Sequence, residues 1–171
     1  MGREQVLLKA WRRPAFRSLR RSAQALFTQI LTQDAPSMAG VVPLMPAKWA
    51  SVCEEISEAS VMADLAAMSE AHLVVVDTTT FEVLVRDYID DSGAVRHRIH
   101  FKGALNAAVM VESELLRSVL GLELKTIGTP EALEFLEVLV PPESDSDPSE
   151  GAPESDSGEA EAAPGSGVSE T

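Results

Sequence analysis

The chain has 171 residues, of which 45% are hydrophobic, and its formal net charge is −13. This length can bury one core. A single cysteine excludes an internal disulfide and a multi-cysteine metal site, and no apolar run approaches the roughly 20 residues that span a bilayer. The amino terminus lacks an apolar signal core, so we expect a cytoplasmic protein without a membrane partner.

The charge is unevenly distributed along the chain. Residues 141–171 contain nine acidic and no basic side chains, which leaves 14 basic and 18 acidic residues in 1–140. Residues 1–21 carry seven basic side chains against one glutamate, a +6 segment on an acidic protein. The composition of 141–171 predicts a disordered acidic tail, because it has too few apolar groups to offset the entropy of ordering.

Three helical patterns follow one another from Leu19 onward. The first ends near Gln33, starts at Ser18 or Ser22, and has one apolar stripe at steps of three and four: Leu19, Ala23, Leu26, Phe27, Ile30 and Leu31. The second is indicated by Pro43 and Pro46, which suit a first helical turn. It is predicted to bury Trp49, Val52, Cys53 and Ile56.

The third helix is predicted to begin at Ser57 as its N-cap. Only a residue or two would then separate it from the second helix, which is typical of the turn in a helix-turn-helix. Val61, Leu65 and Met68 are expected to face the core. The outward face is predicted to be Ser60, Ala63, Asp64, Ala67 and Glu70.

Strand patterns surround these helices. Residues 73–77 and 81–89 predict a β-hairpin around the turn 78–80, because β-branched residues are concentrated in both arms. The apolar run within residues 3–11 predicts a further strand that pairs with this hairpin. Residues 94–102 alternate strictly, which predicts an extended segment with a basic stripe.

Helical patterns return in the last third of the chain. One covers 105–112, a second is capped by Ser113 and ended by Gly121, and Thr129-Pro130 starts a third. The sequence therefore predicts an α+β fold, a winged helix-turn-helix with extra C-terminal helices and a disordered acidic tail. The predicted parts are a winged-helix domain (1–125), a short amphipathic helix (126–140) and the tail (141–171).

Several motifs resemble winged-helix proteins of actinobacteria and their phages, which are usually labelled helix-turn-helix DNA-binding or replication-initiator-like. The motifs are Trp11 with Phe16-Arg17-Ser18-Leu19, Ala39-Gly40-Val41 with Pro43-Leu44 and Trp49-Ala50, Glu82-Val83-Leu84-Val85-Arg86, and Glu112-Ser113 with Leu115-Leu116 and Leu122-Glu123-Leu124. These proteins are also similar to the amino-terminal domain of primosomal DnaD proteins. The resemblance spans about residues 8–125, and it implies DNA binding in replication or transcription regulation.

The basic side chains are the candidate contacts to DNA: Lys9, Arg12, Arg13, Arg17, Arg20, Arg21, Lys48, Arg96, Arg98 and Lys102. Their contact with phosphate would supply affinity with little sequence information. The alternative is that the arginines pair with acids such as Glu54, Glu55 and Asp87, or with the tail. The outward face of the third helix has no Arg, Lys, Asn or Gln, which disfavours base reading by that helix.

We therefore expect a non-enzymatic DNA-binding protein. The alternative is a winged-helix module that binds a replication or transcription protein, or a second copy of itself. No Gly-rich phosphate loop or nucleophile elbow is present, and no further ligands at metal-site spacing accompany His97 and His100, so we expect neither catalysis, cofactor nor metal. Trp49 and Cys53 are predicted to be buried.

Overall fold

The computed structural model describes residues 2–33 and 37–139, and the predicted tail lies outside these ranges. The described elements are α1 (Arg3–Arg12), α2 (Pro14–Arg17), α3 (Arg21–Thr32), β1 (Val41–Pro43), α4 (Pro46–Ala50), α5 (Glu58–Glu70), β2 (Val74–Asp77), β3 (Glu82–Val85), α6 (Tyr88–Asp91), a 3-10 turn (Ala94–Arg96), α7 (Arg98–Val109), α8 (Glu114–Ile127) and α9 (Pro130–Leu139). Helices combined with one small antiparallel sheet agree with the predicted α+β class. None of the described helices is long and apolar enough to cross a membrane.

The sheet has the strand order β1-β3-β2, and both pairings are antiparallel. The predicted hairpin is confirmed as β2 and β3, with Val74 opposite Val85. Its second arm is shorter than predicted, because the chain turns at Asp87, which has a left-handed conformation, and then forms α6.

The sheet lies between two helical layers. Side chains alternate between the faces of a strand, so Val83 and Val85 of β3 join the first hydrophobic cluster, while Leu84 joins the second. The first cluster contains the buried apolar residues of α1 to α5 together with Tyr88 of α6. The second contains Ile89 of α6 and the buried apolar residues of α7 to α9. The sheet therefore supplies one face to each core.

The prediction of a strand at the amino terminus is wrong. Residues 3–12 form α1, which buries Val6 and Ala10 four positions apart. Most residues in this segment are strong helix formers, and their spacing prevails over the short apolar run that indicated a strand. The strand that completes the sheet is β1, Val41–Pro43, which pairs with β3.

The second predicted helix is much shorter than expected. It ends at Ala50, and the side chains of Val52 (73% exposed) and Cys53 lie on the surface. A longer helix would place Glu54 and Glu55 at its carboxyl end, where the helix dipole disfavours acids. Residues 51–57 thus separate α4 from α5, instead of the predicted tight turn.

The first and third predicted helices are confirmed as α3 and α5. The apolar stripe of α3 is buried from Ala23 to Leu31, although neither predicted serine caps it. Ser57 caps α5, since its Oγ accepts from the backbone N–H of Ser60 at 3.2 Å. The expected core residues of α5 are buried.

The predicted extended segment at 94–102 is helical instead. Phe101 and Leu105 of α7 are buried four positions apart, and Ile99 is exposed. The helical spacing of buried apolar residues along α7 therefore decides the structure, and the local alternation of apolar and polar residues does not. The predicted stop at Gly121 is also wrong, because α8 continues to Ile127 and ends at the left-handed Gly128.

Two predicted helix starts are confirmed in the carboxyl-terminal layer. Ser113 caps α8 by accepting from the backbone N–H of Leu116 at 3.1 Å. Thr129 precedes α9, and its Oγ accepts from the backbone N–H of Ala132 at 3.3 Å. Helix α9 packs against α7 and α8, and the predicted boundary at residue 125 lies within α8.

Candidate nucleic-acid interface

Five arginines lie in ten residues where α1, α2 and α3 meet, and we call them the arginine corner: Arg12, Arg13, Arg17, Arg20 and Arg21. Pro14 starts α2 directly after α1, because proline fits a first helical turn but would interrupt α1. The rings of Trp11 and Phe16 meet edge to face, with centroids 4.9 Å apart. This contact holds α1 and α2 together at the corner.

Acidic side chains hold two of these arginines in place. Arg13 Nη2 donates to Asp91 Oδ2 at 2.7 Å and to Asp87 Oδ2 at 3.1 Å, and Lys9 lies 3.2 Å from Asp91. Arg20 donates through Nε to the buried Asp64. The pairing with acids that the sequence offered as an alternative therefore occurs, at Asp87 among others.

The other three members of the corner, Arg12, Arg17 and Arg21, are exposed. Within residues 2–33 and 37–139, none of them forms an ion pair. Arg21 is the first residue of α3, and no side chain caps that helix start. A helix amino terminus flanked by exposed guanidinium groups favours an anion such as phosphate.

The remaining predicted contacts lie elsewhere. Lys48 is exposed in α4. Arg96, Arg98 and Lys102 are exposed at the start of the second helical layer, in the 3-10 turn and α7. The arginine corner is thus one group of candidate residues, and the α7 cations are another.

The middle of the exposed face of α5 is uncharged and consists of the small side chains of Ala63 and Ala66, while Glu58 and Glu70 are exposed at the two ends of the helix. The prediction that Asp64 lies on this surface is wrong, because its side chain is 2% exposed. Asp64 shares the helical face of Val61 and Met68, three before and four after it. Its carboxylate is satisfied there by Arg20 and by Ser22, whose Oγ donates to Oδ1 at 3.0 Å.

The β2–β3 hairpin is tied to the start of α8, a link that the sequence did not predict. Ser113 Oγ donates to Asp77 Oδ2 at 2.5 Å, and the Ser113 backbone N–H donates to Glu82 Oε2 at 2.8 Å. The hydrogen bond from Ser113 lowers the pKa of Asp77. Two carboxylates at the amino end of α8 also match the positive end of its dipole.

The sequence also did not predict a group of charged residues that lies beside Arg13 of the arginine corner. Arg86 Nε donates to Glu123 Oε1 at 2.6 Å, and Glu123 is 6% exposed. Burial raises the pKa of Glu123, and it also raises that of Asp91 although Arg13 and Lys9 oppose the effect. Arg13, Arg86, Asp91 and Glu123 line a cavity of about 470 Å³. The position of Glu123 between Leu120 and Leu124 on α8 is the signal that could have revealed its burial.

Glu123→Gln is expected to make the free energy of unfolding less dependent on pH above 4.5. A carboxyl whose pKa is raised on folding stabilises the protein fully below its unfolded value of 4.5, and this contribution is lost as the pH rises through the folded pKa. The wild type should lose this contribution as the pH rises above 4.5, and the variant should not. Urea unfolding at several pH values measures it, with the exposed Glu112→Gln as the control. Parallel pH profiles for wild type and Glu123→Gln would contradict the prediction.

Trp49 is confirmed as a core residue, whereas the predicted burial of Cys53 is wrong. The rings of His97 and His100 lie 5.5 Å apart between centroids. Among the residues that the structure describes, no group of three or more His, Cys, Asp or Glu side chains is arranged to hold a metal ion.

Comparison with protein-family models, with curated proteins and with solved structures gives no match to this chain.

Proposed function

We propose that this protein is a non-enzymatic, winged-helix DNA-binding protein of bacterial or phage replication or transcription control. The order α3, β1, α4, α5, β2, β3 and the strand order β1-β3-β2 support the winged-helix assignment. In this assignment α5 is the third helix and the β2–β3 hairpin is the wing. The sequence resemblance to winged-helix proteins of actinobacteria and their phages supports the same proposal.

The observation that carries the proposal is the exposed part of the arginine corner. Arg12, Arg17 and Arg21 are exposed and have no acidic partner among the described residues, and Arg21 is the first residue of the uncapped helix α3. The whole protein has a net charge of −13, so these arginines form a local cationic region on an acidic protein. Phosphate is the group that arginine and a helix amino terminus recognise together.

Binding would rest on the DNA backbone, with little base reading. Helix α5 presents alanines and has Glu58 and Glu70 at its ends, so it offers no bidentate donor to a guanine or adenine edge. Affinity is then expected to depend steeply on salt and weakly on sequence.

The first test is Arg12→Gln/Arg17→Gln/Arg21→Gln, measured by fluorescence anisotropy on duplexes of unrelated sequence over a salt series. The slope of log affinity against log salt should fall by about 0.9 for each phosphate that the variant no longer neutralises, and all duplexes should be weakened alike. The comparison variant, Arg98→Gln/Lys102→Gln/Lys125→Gln, makes the same charge change on the second layer and removes two of the α7 candidates. Equal weakening by the two variants would contradict a site confined to the corner.

Asp64→Asn is expected to tighten DNA binding, because Arg20 would be released from its carboxylate partner toward the corner. Glu70→Gln is the matched control, since it removes one negative charge from the same helix where no ion pair to Glu70 is described. Asp64→Asn should increase affinity more than Glu70→Gln does. Equal increases would show that only the overall charge matters.

The second candidate function is a protein–protein module, favoured by the uncharged middle of the exposed face of α5 and by the exposed Val52 and Cys53 before this helix. A partner helix or a second copy could pack on such a surface, whereas DNA would find no cation there. Failure of the wild type to bind any duplex at low salt, together with concentration-dependent self-association in sedimentation, would favour this function.

A further inference from the structure

Another group of basic side chains lies around a cavity where α1 and α7 begin. The cavity there has a volume of about 350 Å³. Four side chains that can carry positive charge line it, and we call it the basic cavity: Arg3, Arg96, His97 and His100. None of these four belongs to the arginine corner.

The charged side chains described in the lining of the basic cavity are all basic. Among the described residues that line it there is no carboxylate, although the whole chain carries 27 acidic residues against 14 basic ones. The ion pairs described for residues 2–33 and 37–139 do not include Arg3 or Arg96. Cations gathered around a concave surface without counter-charges repel each other, and a bound anion relieves that repulsion.

Neutral donors complete the lining. Ser37, Ser92 and Tyr88 also line the cavity, and burial raises the pKa of Tyr88. The Ser92 Oγ already donates to the Ile89 carbonyl at 3.1 Å, so Ser37 and Tyr88 are the candidate hydroxyl donors. Arg3 is oriented by the bond that its Nη1 donates to the backbone carbonyl of Gln33 at 3.0 Å. Guanidinium, imidazole and hydroxyl donors are the groups that bind the oxygens of a phosphate.

We propose that the basic cavity binds the phosphate group of a small phosphate monoester or of inorganic phosphate. The volume lies at the lower end of the range for small-molecule sites, about 300–1,000 Å³. That size suits a compact phosphorylated molecule better than a length of duplex. This site contains no residue of the arginine corner, on which the proposed DNA binding rests, so either can fail without the other.

The test is a titration of the full chain with inorganic phosphate, followed through the imidazole signals of its histidines by NMR. The signals of His97 and His100 should shift and saturate, while His72, which lies after α5 in the other layer, should not. Chloride at matched ionic strength should leave all three unchanged. Arg96→Gln should weaken the phosphate response about tenfold, because a hydrogen bond to a charged group is removed. Arg98→Gln, an equally exposed neighbour outside the cavity lining, should leave it intact.

A nucleoside 5′-monophosphate distinguishes the two sources of phosphate. Tighter binding than that of inorganic phosphate would assign the site to a phosphate ester, and weaker binding would assign it to the free ion. Three results would overturn the proposal: no saturable shift of His97 and His100, equal weakening by Arg96→Gln and Arg98→Gln, or shifts caused by duplex DNA but not by phosphate.

Discussion

Trp49→Ala is expected to lower the free energy of unfolding by about 3–5 kcal/mol. The indole is 2% exposed in the first cluster, on the short helix α4 that packs against α5. Its Nε1 donates to Gln33 Oε1 at 3.1 Å, and Gln29 donates to the Trp49 backbone carbonyl at 3.4 Å. Alanine would leave a cavity and would deprive the Gln33 amide of its donor, which adds to the cost.

The chain contains its own control for this measurement, because its other tryptophan is 46% exposed. Trp11→Ala removes an edge-to-face contact with Phe16, and such contacts contribute about 0.5–1.5 kcal/mol beyond the area they bury. Urea unfolding of both variants should therefore separate them clearly. Similar unfolding midpoints for the two variants would show that Trp49 does not connect α3 and α5 within the first hydrophobic cluster.

Gly40→Ala is the second substitution with a large expected effect, about 2–5 kcal/mol. Gly40 has φ +83°, and a side chain in that region costs roughly 1–2 kcal/mol. A Cβ at this position would also lie 2.4 Å from Tyr88 Cβ, so the ring would have to move, at a typical cost of about 1–3 kcal/mol. Without a side chain at residue 40, Tyr88 packs against the backbone just before β1, where the Val85 N–H donates to the Gly40 carbonyl at 3.0 Å.

Gly128→Ala isolates the conformational part of this cost. Gly128 has φ +68°, but the nearest atom to an added Cβ is 3.7 Å away, which is ordinary contact. We expect this variant to lose only about 1–2 kcal/mol in denaturant unfolding. An equal loss of stability in the two glycine variants would contradict the role given to Tyr88.

Much of the fold could be predicted from the sequence where an element had a strong signal of its own. Helix α3 has a long apolar period, α5 and α9 have the caps Ser57 and Thr129, and the hairpin has β-branched residues in both arms. Segments with a short apolar run and no cap are the ones predicted wrongly, because both a strand and a helix can bury such a run. Residues 3–11 and 94–102 are of this kind.

The charges of the candidate site could be predicted less well than its helices. A count of basic residues finds the arginine corner, but it cannot tell which arginines have acidic partners far away along the chain. Arg13 reaches Asp91, and Arg20 reaches Asp64, through tertiary packing alone. The burial of Asp64 escapes sequence reasoning because charged residues are rarely buried unless paired, and its partner Arg20 is distant in the sequence.

The position of β3 between the two helical layers has a consequence for hydrogen exchange. Both neighbours of β3 are strands, and its side chains enter both hydrophobic clusters, so opening it would expose apolar groups of each core. Amides of β3 that are bonded to β1 or β2 should therefore exchange only through global unfolding, at the slowest rates in the described chain. Neither layer should be able to unfold alone while this strand stays in place.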